Sequence, residues 1–346
     1  MSIVDEVLSD PILFYKCCWP HGVLYGKQEE ILWSLRDNDE TIVPAGNGLG
    51  KDYISAVAAL WFFCSRRPAR VVTTRVQFTQ LNDVLWGEIR RLINTCAVKL
   101  PIDYKEMKIR QIYNNGRYVP LCEIVGQCVN QNEGLLGRHL PNDIPRTLVI
   151  FDEASGISDE VYTSTDTWAH KKLVIGNPFP CNNFFFKGVK AGDLKAPDGK
   201  NYYRKVIRIR ATDSPNIRLS MSQVARGETP TGEVLIPGLV DYKTYKKRRA
   251  TWDRVMQCIG LDGEFYEGPE TLLFPPEWLN LAEGKADALK NTKRTAKAMG
   301  IDPAEGGDNT VWAIVDDYGL MFMESQKTKD TATITGRTIA LMKDYS

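Results

Sequence analysis

Residues 45–52, Ala45-Gly46-Asn47-Gly48-Leu49-Gly50-Lys51-Asp52, alternate glycines with larger residues and end on a lysine and an aspartate. Such a run can turn successive backbone N–H groups toward one anion, and its lysine can meet the outer phosphates of a polyphosphate. It is close to GxxxxGK(S/T), with Ala45 in place of the first glycine and Asp52 in place of the hydroxyl residue. The hydroxyl of that pattern binds Mg2+. The Asp52 carboxylate is a candidate for the same task, directly or through water, but it adds a negative charge beside the phosphates. A second element carries the complementary chemistry. Leu148-Val149-Ile150-Phe151-Asp152-Glu153 is an apolar run that ends in two carboxylates. Asp152 is a candidate for the Mg2+ shell and Glu153 for polarising an attacking water. The run Leu173-Val174-Ile175-Gly176-Asn177-Pro178 ends on an amide, Asn177, suited to a terminal phosphate or a lytic water. Upstream, Gln28 offers donor and acceptor together, the pair needed to read an adenine edge.

The elements that must position these residues follow from their periodicity. Residues 1–40 read as helical, with apolar spacing through Ile31, Leu32 and Leu35. Short apolar runs at 41–44, 70–74, 147–151, 172–175 and 203–210 read as strands, and long helices are expected after Lys51 and over 76–94. Strands alternating with helices predict an α/β fold with a mainly parallel sheet flanked by helices. From about Ser214 the texture changes to Pro- and Gly-rich segments around a charged helical stretch, 241–258. Residues 283–297 are polar and lysine-rich. A new strand pair is expected at 296–301 and 311–315, with Asp316-Asp317-Tyr318-Gly319 as a hairpin turn. The resulting division is a core over 1–215, a small helical linker over 216–295 and the start of a further α/β domain over 296–346.

Composition narrows the function classes. The 346 residues carry a net charge of +1, 43% apolar and 25% charged residues, so nucleic-acid contact must come from local patches. Two are visible: Tyr242–Arg249 with Trp252 and Arg254, and Arg204, Lys205, Arg208 and Arg210. The eight cysteines include no CxxC pair, and the three histidines do not sit at ligand spacing from them, which argues against a zinc site. The most apolar stretch, 54–64, is about half of what a membrane span needs. No membrane association is expected, and the thiols read as reduced in a cytoplasm.

Taken in order, Gln28, the 45–52 loop, Val72-Thr73-Thr74, Leu85-Trp86-Gly87-Glu88-Ile89-Arg90, Glu133-Gly134-Leu135-Leu136-Gly137, Phe151-Asp152-Glu153-Ala154-Ser155-Gly156 and Ile175-Gly176-Asn177-Pro178 resemble large terminase subunits, the DNA-packaging ATPases of tailed phages. Ala211–Asn216 and Met299–Asp308 fit the same family, the latter resembling the opening strand of its RNase H-like nuclease. The resemblance spans roughly residues 20–325. It implies a P-loop ATPase that uses ATP and Mg2+ to translocate double-stranded DNA. Its implied partners are a portal protein and a small terminase subunit, with a homo-oligomeric ring docked on the portal in the host cytoplasm. It implies that Lys51 and Asp52 bind phosphate and metal, that Asp152 supports Mg2+, that Glu153 is the catalytic carboxylate, and that Asn177 couples hydrolysis to movement. Arg138 is the first candidate for an arginine finger acting in trans, with Arg75 and Arg146 as alternatives. Asp302 matches the nuclease's first metal-binding aspartate, with Asp308 in the following turn. Its other carboxylates are not found before Ser346, so an incomplete nuclease without activity of its own is expected. The alternatives are a helicase-like nucleic-acid ATPase and a truncated remnant that binds nucleotide or partners without turnover.

Overall fold

The structure is a computed structural model that describes residues 3–128, 140, 145–268, 276–289, 292–304 and 306–345. Two compact units make up the chain, Met1–Thr271 and Leu272–Ser346.

The first unit is built on nine strands: β1 (Glu40–Pro44), β2 (Arg70–Arg75), β3 (Ile102–Lys105), β4 (Lys108–Ile112), β5 (Tyr118–Cys128), β6 (Thr147–Asp152), β7 (Lys171–Gly176), β8 (Leu194–Lys195) and β9 (Tyr202–Val206). They pair in the order β3-β4-β5-β2-β6-β7-β1-β9-β8. Pairing is parallel from β5 through β9 and antiparallel only at the two margins. β1, β6 and β7 are buried along their whole length, as near-continuous apolar runs in a covered parallel sheet must be. Successive side chains feed opposite faces. Val43, Val71, Ile150 and Ile175 join one core with the helices Gly26–Asp37, Lys51–Cys64 and Trp86–Asn94. Ile42, Val72, Phe151 and Val174 join a second with Trp168 and Phe185. The Lys51–Cys64 helix is apolar on nearly all sides and accordingly buried.

Register does the positioning. Pro44 lies opposite Gly176, Asp152 opposite Ile175, and Thr74 opposite Phe151. The carboxyl ends of β1, β2, β6 and β7 therefore share one rim, where parallel sheets bind ligands. The strand expected over 203–210 is a regular ladder only to Val206, but Ile207 N and Ile209 N still donate to Ile42 O and Pro44 O at 2.8 and 3.0 Å. The β3–β4–β5 ribbon has no counterpart among the strands expected from sequence. β4 buries only Ile109 and Gln111, too short an alternation to stand out.

Helices Pro215–Ala225, Tyr242–Thr251 and Arg254–Gly260 belong to this first unit, and the 209–263 segment lies against the glycine-rich loop. The second unit contains an antiparallel meander of β10 (Ala298–Asp302), β11 (Thr310–Asp316) and β12 (Gly319–Gln326). Trp312 and Ile314 pack with Leu341 of the Thr331–Asp344 helix. The expected hairpin turn forms, with Asp316 Oδ1 accepting from Tyr318 N and Gly319 N at 2.7 and 3.1 Å.

Candidate active site

The glycine-rich loop is fixed at its entry and open at its exit. Ala45 N donates to Gly176 O at 3.0 Å, Gly46 N to Ile209 O at 3.0 Å and Asn47 N to Gly260 O at 2.7 Å. Ala45 thus continues the strand ladder, which explains why a Cβ is tolerated where the pattern has glycine. Gly46 is different, because a Cβ there would sit 2.7 Å from Gly260 O. Gly48 and Gly50 have φ of 72° and 75°, the left-handed region that favours glycine. Among the described residues, the amides from Gly48 to Asp52 donate to no protein acceptor. They lie at the N-terminus of the Lys51–Cys64 helix, so its partial positive charge adds to theirs.

Four segments converge on this exit. Lys51 Nζ donates to Asn177 Oδ1 at 3.0 Å and lies 3.9 Å from Glu153 Oε1. Asn177 Nδ2 donates to Ala45 O at 2.7 Å, so this 5% exposed amide ties the end of β7 to both ends of the loop. Asp152 is fully buried, and its Oδ1 accepts from Glu153 N at 3.0 Å. Glu153 itself adopts φ 51° and ψ 49°, an uncommon conformation for a residue with a side chain. Such strain persists where surrounding structure imposes it, here the close approach of Gly176 to Ala154 N.

Arg75, at the end of β2, completes the cluster. Its Nη2 lies 3.3 Å from Asp52 Oδ1 and 3.1 Å from Glu153 Oε1, and its Nε lies 3.3 Å from Asp152 Oδ2. The Nε and Oδ2 atoms are at ion-pair distance without hydrogen-bond alignment, and both are buried without another hydrogen-bond partner among the described residues. Asp152 is pushed up to about 7, chiefly by burial and also by the neighbouring Asp52 and Glu153, with Arg75 and Lys51 opposing. Arg75 is 4% exposed and turned into its own site, so it is not placed to reach a neighbouring subunit. Arg146 precedes β6, at the opposite end from Asp152, with Nη1 on Arg67 O at 2.6 Å. Arg138 and the Glu133–Gly137 motif lie outside the described residues.

A cavity of about 450 Å³ opens beside the loop, lined by Gln28, Gly48, Gly50, Asp52 and Tyr53 on one wall and 235–239 on the other. Gln28 is buried, with Nε2 3.4 Å from Gly50 O. The apolar side chains Leu235, Ile236 and Leu239 suit a flat ring, and the loop amides suit a polyphosphate. The wall formed by 235–239 had no signal in the sequence beyond its Pro-Gly pair. In the second unit, Asp302 stands exposed at the end of β10. Among the described residues, no three His, Cys, Asp or Glu side chains form a group able to hold a metal.

This arrangement of strand order, loop and rim can be compared with known proteins. No family model matches the sequence. The ATPase domain of the large terminase of Thermus phage P74-26, in a mutant form, superposes with a TM-score of 0.52, covering 73% of this chain and 98% of that domain at 16% identity. The chain has the fold of a large terminase ATPase domain. A second structure of that terminase domain gives a TM-score of 0.47 at 14% identity, covering 73% and 97% of the two chains. In sequence, 175 residues are 27% identical to a probable terminase large subunit of Enterobacteria phage P7. That match covers 46% of this chain and about a third, 34%, of the relative. The resemblance to terminases read from the ordered motifs is borne out, as is the α/β class.

Proposed function

We propose that this chain is the ATP-hydrolysing motor part of a large terminase, which drives double-stranded DNA into a viral prohead. The observation that carries the proposal is the convergence of Lys51, Asp52, Arg75, Asp152, Glu153 and Asn177 at one sheet rim, beside a cavity of nucleotide size. In this reading the Gly48–Asp52 amides and Lys51 bind the phosphates, Gln28 reads the base, and Asn177 holds Lys51 in place. Glu153, oriented by its strained backbone, accepts a proton from the attacking water.

Mg2+ fits the residues present. It is usually held by one or two carboxylates plus substrate phosphates and water, so it needs no all-protein cage. The buried Asp152 Oδ2, without a hydrogen-bond partner, and Asp52 are the residues that would hold it. Held there, it would supply positive charge that offsets the negative charge of the phosphates in the transition state.

For DNA, the Tyr242–Thr251 helix is the better of the two basic patches. Lys243, Lys246 and Lys247 are exposed, while the neighbouring Arg248 reaches Asn47 O at 3.5 Å. The other patch is committed internally: Arg204 to Glu40, Lys205 to Asp193, and Arg208 and Arg210 to Glu264. We further infer a portal protein and a small terminase subunit as partners, a homo-oligomeric ring on the portal, and residence in the host cytoplasm. Among the described residues, no helix is long and apolar enough to cross a membrane. A two-metal nuclease needs several carboxylates within a few ångströms. The described residues bring Asp302 into no such group, so no nuclease step is proposed for them.

The test is Mg2+-dependent ATP hydrolysis by the purified chain, alone and with portal and DNA. Glu153→Gln should abolish turnover and preserve nucleotide binding. A chain that binds no nucleotide sinks the proposal. One that binds but never hydrolyses leaves the remnant reading, which the unusual Asp52 favours. Replacing Lys243, Lys246 and Lys247 together by alanine should weaken DNA binding uniformly across sequences and make its salt dependence shallower by about two to three phosphate equivalents.

A further inference from the structure

Neither the loop pattern nor the strand-end pattern calls for Arg75. Its Nη1 is anchored on Gln80 O at 3.0 Å, which fixes the guanidinium from behind. In front, Nη2 makes hydrogen bonds to Asp52 Oδ1 and Glu153 Oε1 at 3.3 and 3.1 Å. The contact with Asp152 is looser, since Nε and Oδ2 are close but unaligned. One buried cation is therefore committed first to the carboxylate that breaks the loop consensus and to the carboxylate beside the reacting phosphate.

Charge explains why that commitment matters. A loop ending in a hydroxyl residue would leave two carboxylates, Asp152 and Glu153, facing Lys51. Asp52 adds a third in the first turn of the helix that follows the loop, on the cavity wall beside Gly48 and Gly50, so that a bound polyphosphate would meet its charge. Arg75 supplies one compensating positive charge at hydrogen-bond distance from it.

We propose that Arg75 is the internal counter-ion of Asp52, the two forming a charge pair that replaces the neutral hydroxyl residue of the phosphate loop. Arg75 is then a positioning residue for polyphosphate binding, and the inference rests on the nucleotide reading of the loop. The two residues must be coupled. Removing Arg75 alone exposes the phosphates to Asp52, and removing both restores a neutral loop.

The experiment is ADP binding by calorimetry on the full chain in EDTA, so that only the chain's own charges act. It compares the unmodified chain, Arg75→Gln, Asp52→Thr and the double variant. Arg75→Gln should weaken ADP binding by about thirtyfold, and adding Asp52→Thr should bring it back to within about threefold of the unmodified chain. A merely structural arginine would not be rescued by a change at Asp52. A double variant no tighter than Arg75→Gln, or an Arg75→Gln chain that binds as the unmodified one does, overturns the counter-ion role alone. An unmodified chain that binds no ADP, with or without Mg2+, overturns the nucleotide reading itself. Should Arg75→Gln not fold, the double variant carries the test: ADP binding within about threefold of the unmodified chain is expected, and a loss of about thirtyfold there overturns the proposal.

Discussion

Two aspartates, Asp152 and Asp302, end apolar strands in the two units, and their surroundings could hardly differ more. Asp152 closes β6 inside a parallel sheet, with β2 and β7 on either side, and is fully buried. Asp302 closes β10 at the margin of a three-stranded antiparallel meander and is exposed. The first is surrounded by Arg75, Lys51, Asp52 and its own neighbour Glu153, brought together by register from three segments. The second meets no comparable group among the described residues. An apolar run ending in aspartate is thus a position, not yet a site. Neighbouring strands that end level with it make the difference.

The contrast can be broken at three points, taken from the largest effect down. Asp152→Asn should lower ATP turnover by about a hundredfold or more, since it removes a carboxylate from the charged centre. Asp302→Asn should leave turnover within about twofold. Steady-state hydrolysis by the two variants checks this, and equal losses would erase the distinction between the units.

Glycines near the two strand ends give the next effect. At Gly176 a Cβ would meet Ala154 N at 2.8 Å and Glu153 Cα at 3.2 Å, whereas at Gly300 it would meet nothing within 4 Å. Gly176→Ala should destabilise the first unit by about 1–3 kcal/mol and displace Glu153, lowering turnover as well. Gly300→Ala should stay within about 0.5 kcal/mol of the unmodified chain. Urea titration measures both.

The smallest effect is a pH dependence. Because burial raises Asp152 to about 7, protonation there favours the nucleotide-free fold. That contribution is complete below the unfolded value of about 3.9 and is lost as pH rises through about 7. Melting temperature between about pH 5 and pH 8 should therefore fall more steeply for the unmodified chain than for Asp152→Asn. Identical slopes would mean that Asp152 stays ionised in the fold across that range.

Much of the site was legible beforehand because its residues are local in sequence. Gly48 and Gly50 announce left-handed backbone, Lys51 opens an apolar helix, and Asp152-Glu153 and Asn177 each follow a run of buried β-formers. Arg75 was noticed only as a possible finger for another subunit. A single arginine at the end of a strand carries no local sign of which side it faces. The basic run Arg204–Arg210 misled for the related reason that its acidic partners, Glu40, Asp193 and Glu264, are scattered along the chain. β3 and β4 escaped because they bury no residue and two residues respectively, and β5 because its buried positions, Val119, Cys122, Ile124, Val125 and Cys128, follow no strict alternation.

The sequence by itself determined the class of fold, the loop and the identity of the carboxylates. Helix and strand periods and glycine's conformational range act over a few residues and can be read directly. Only the tertiary structure decided which charges meet. It set Asp52, Asp152 and Glu153 around one arginine from a third segment, because strand register and burial are properties of the assembled sheet. It also left Asp302 outside any such group among the described residues, though a run of the same kind led up to it.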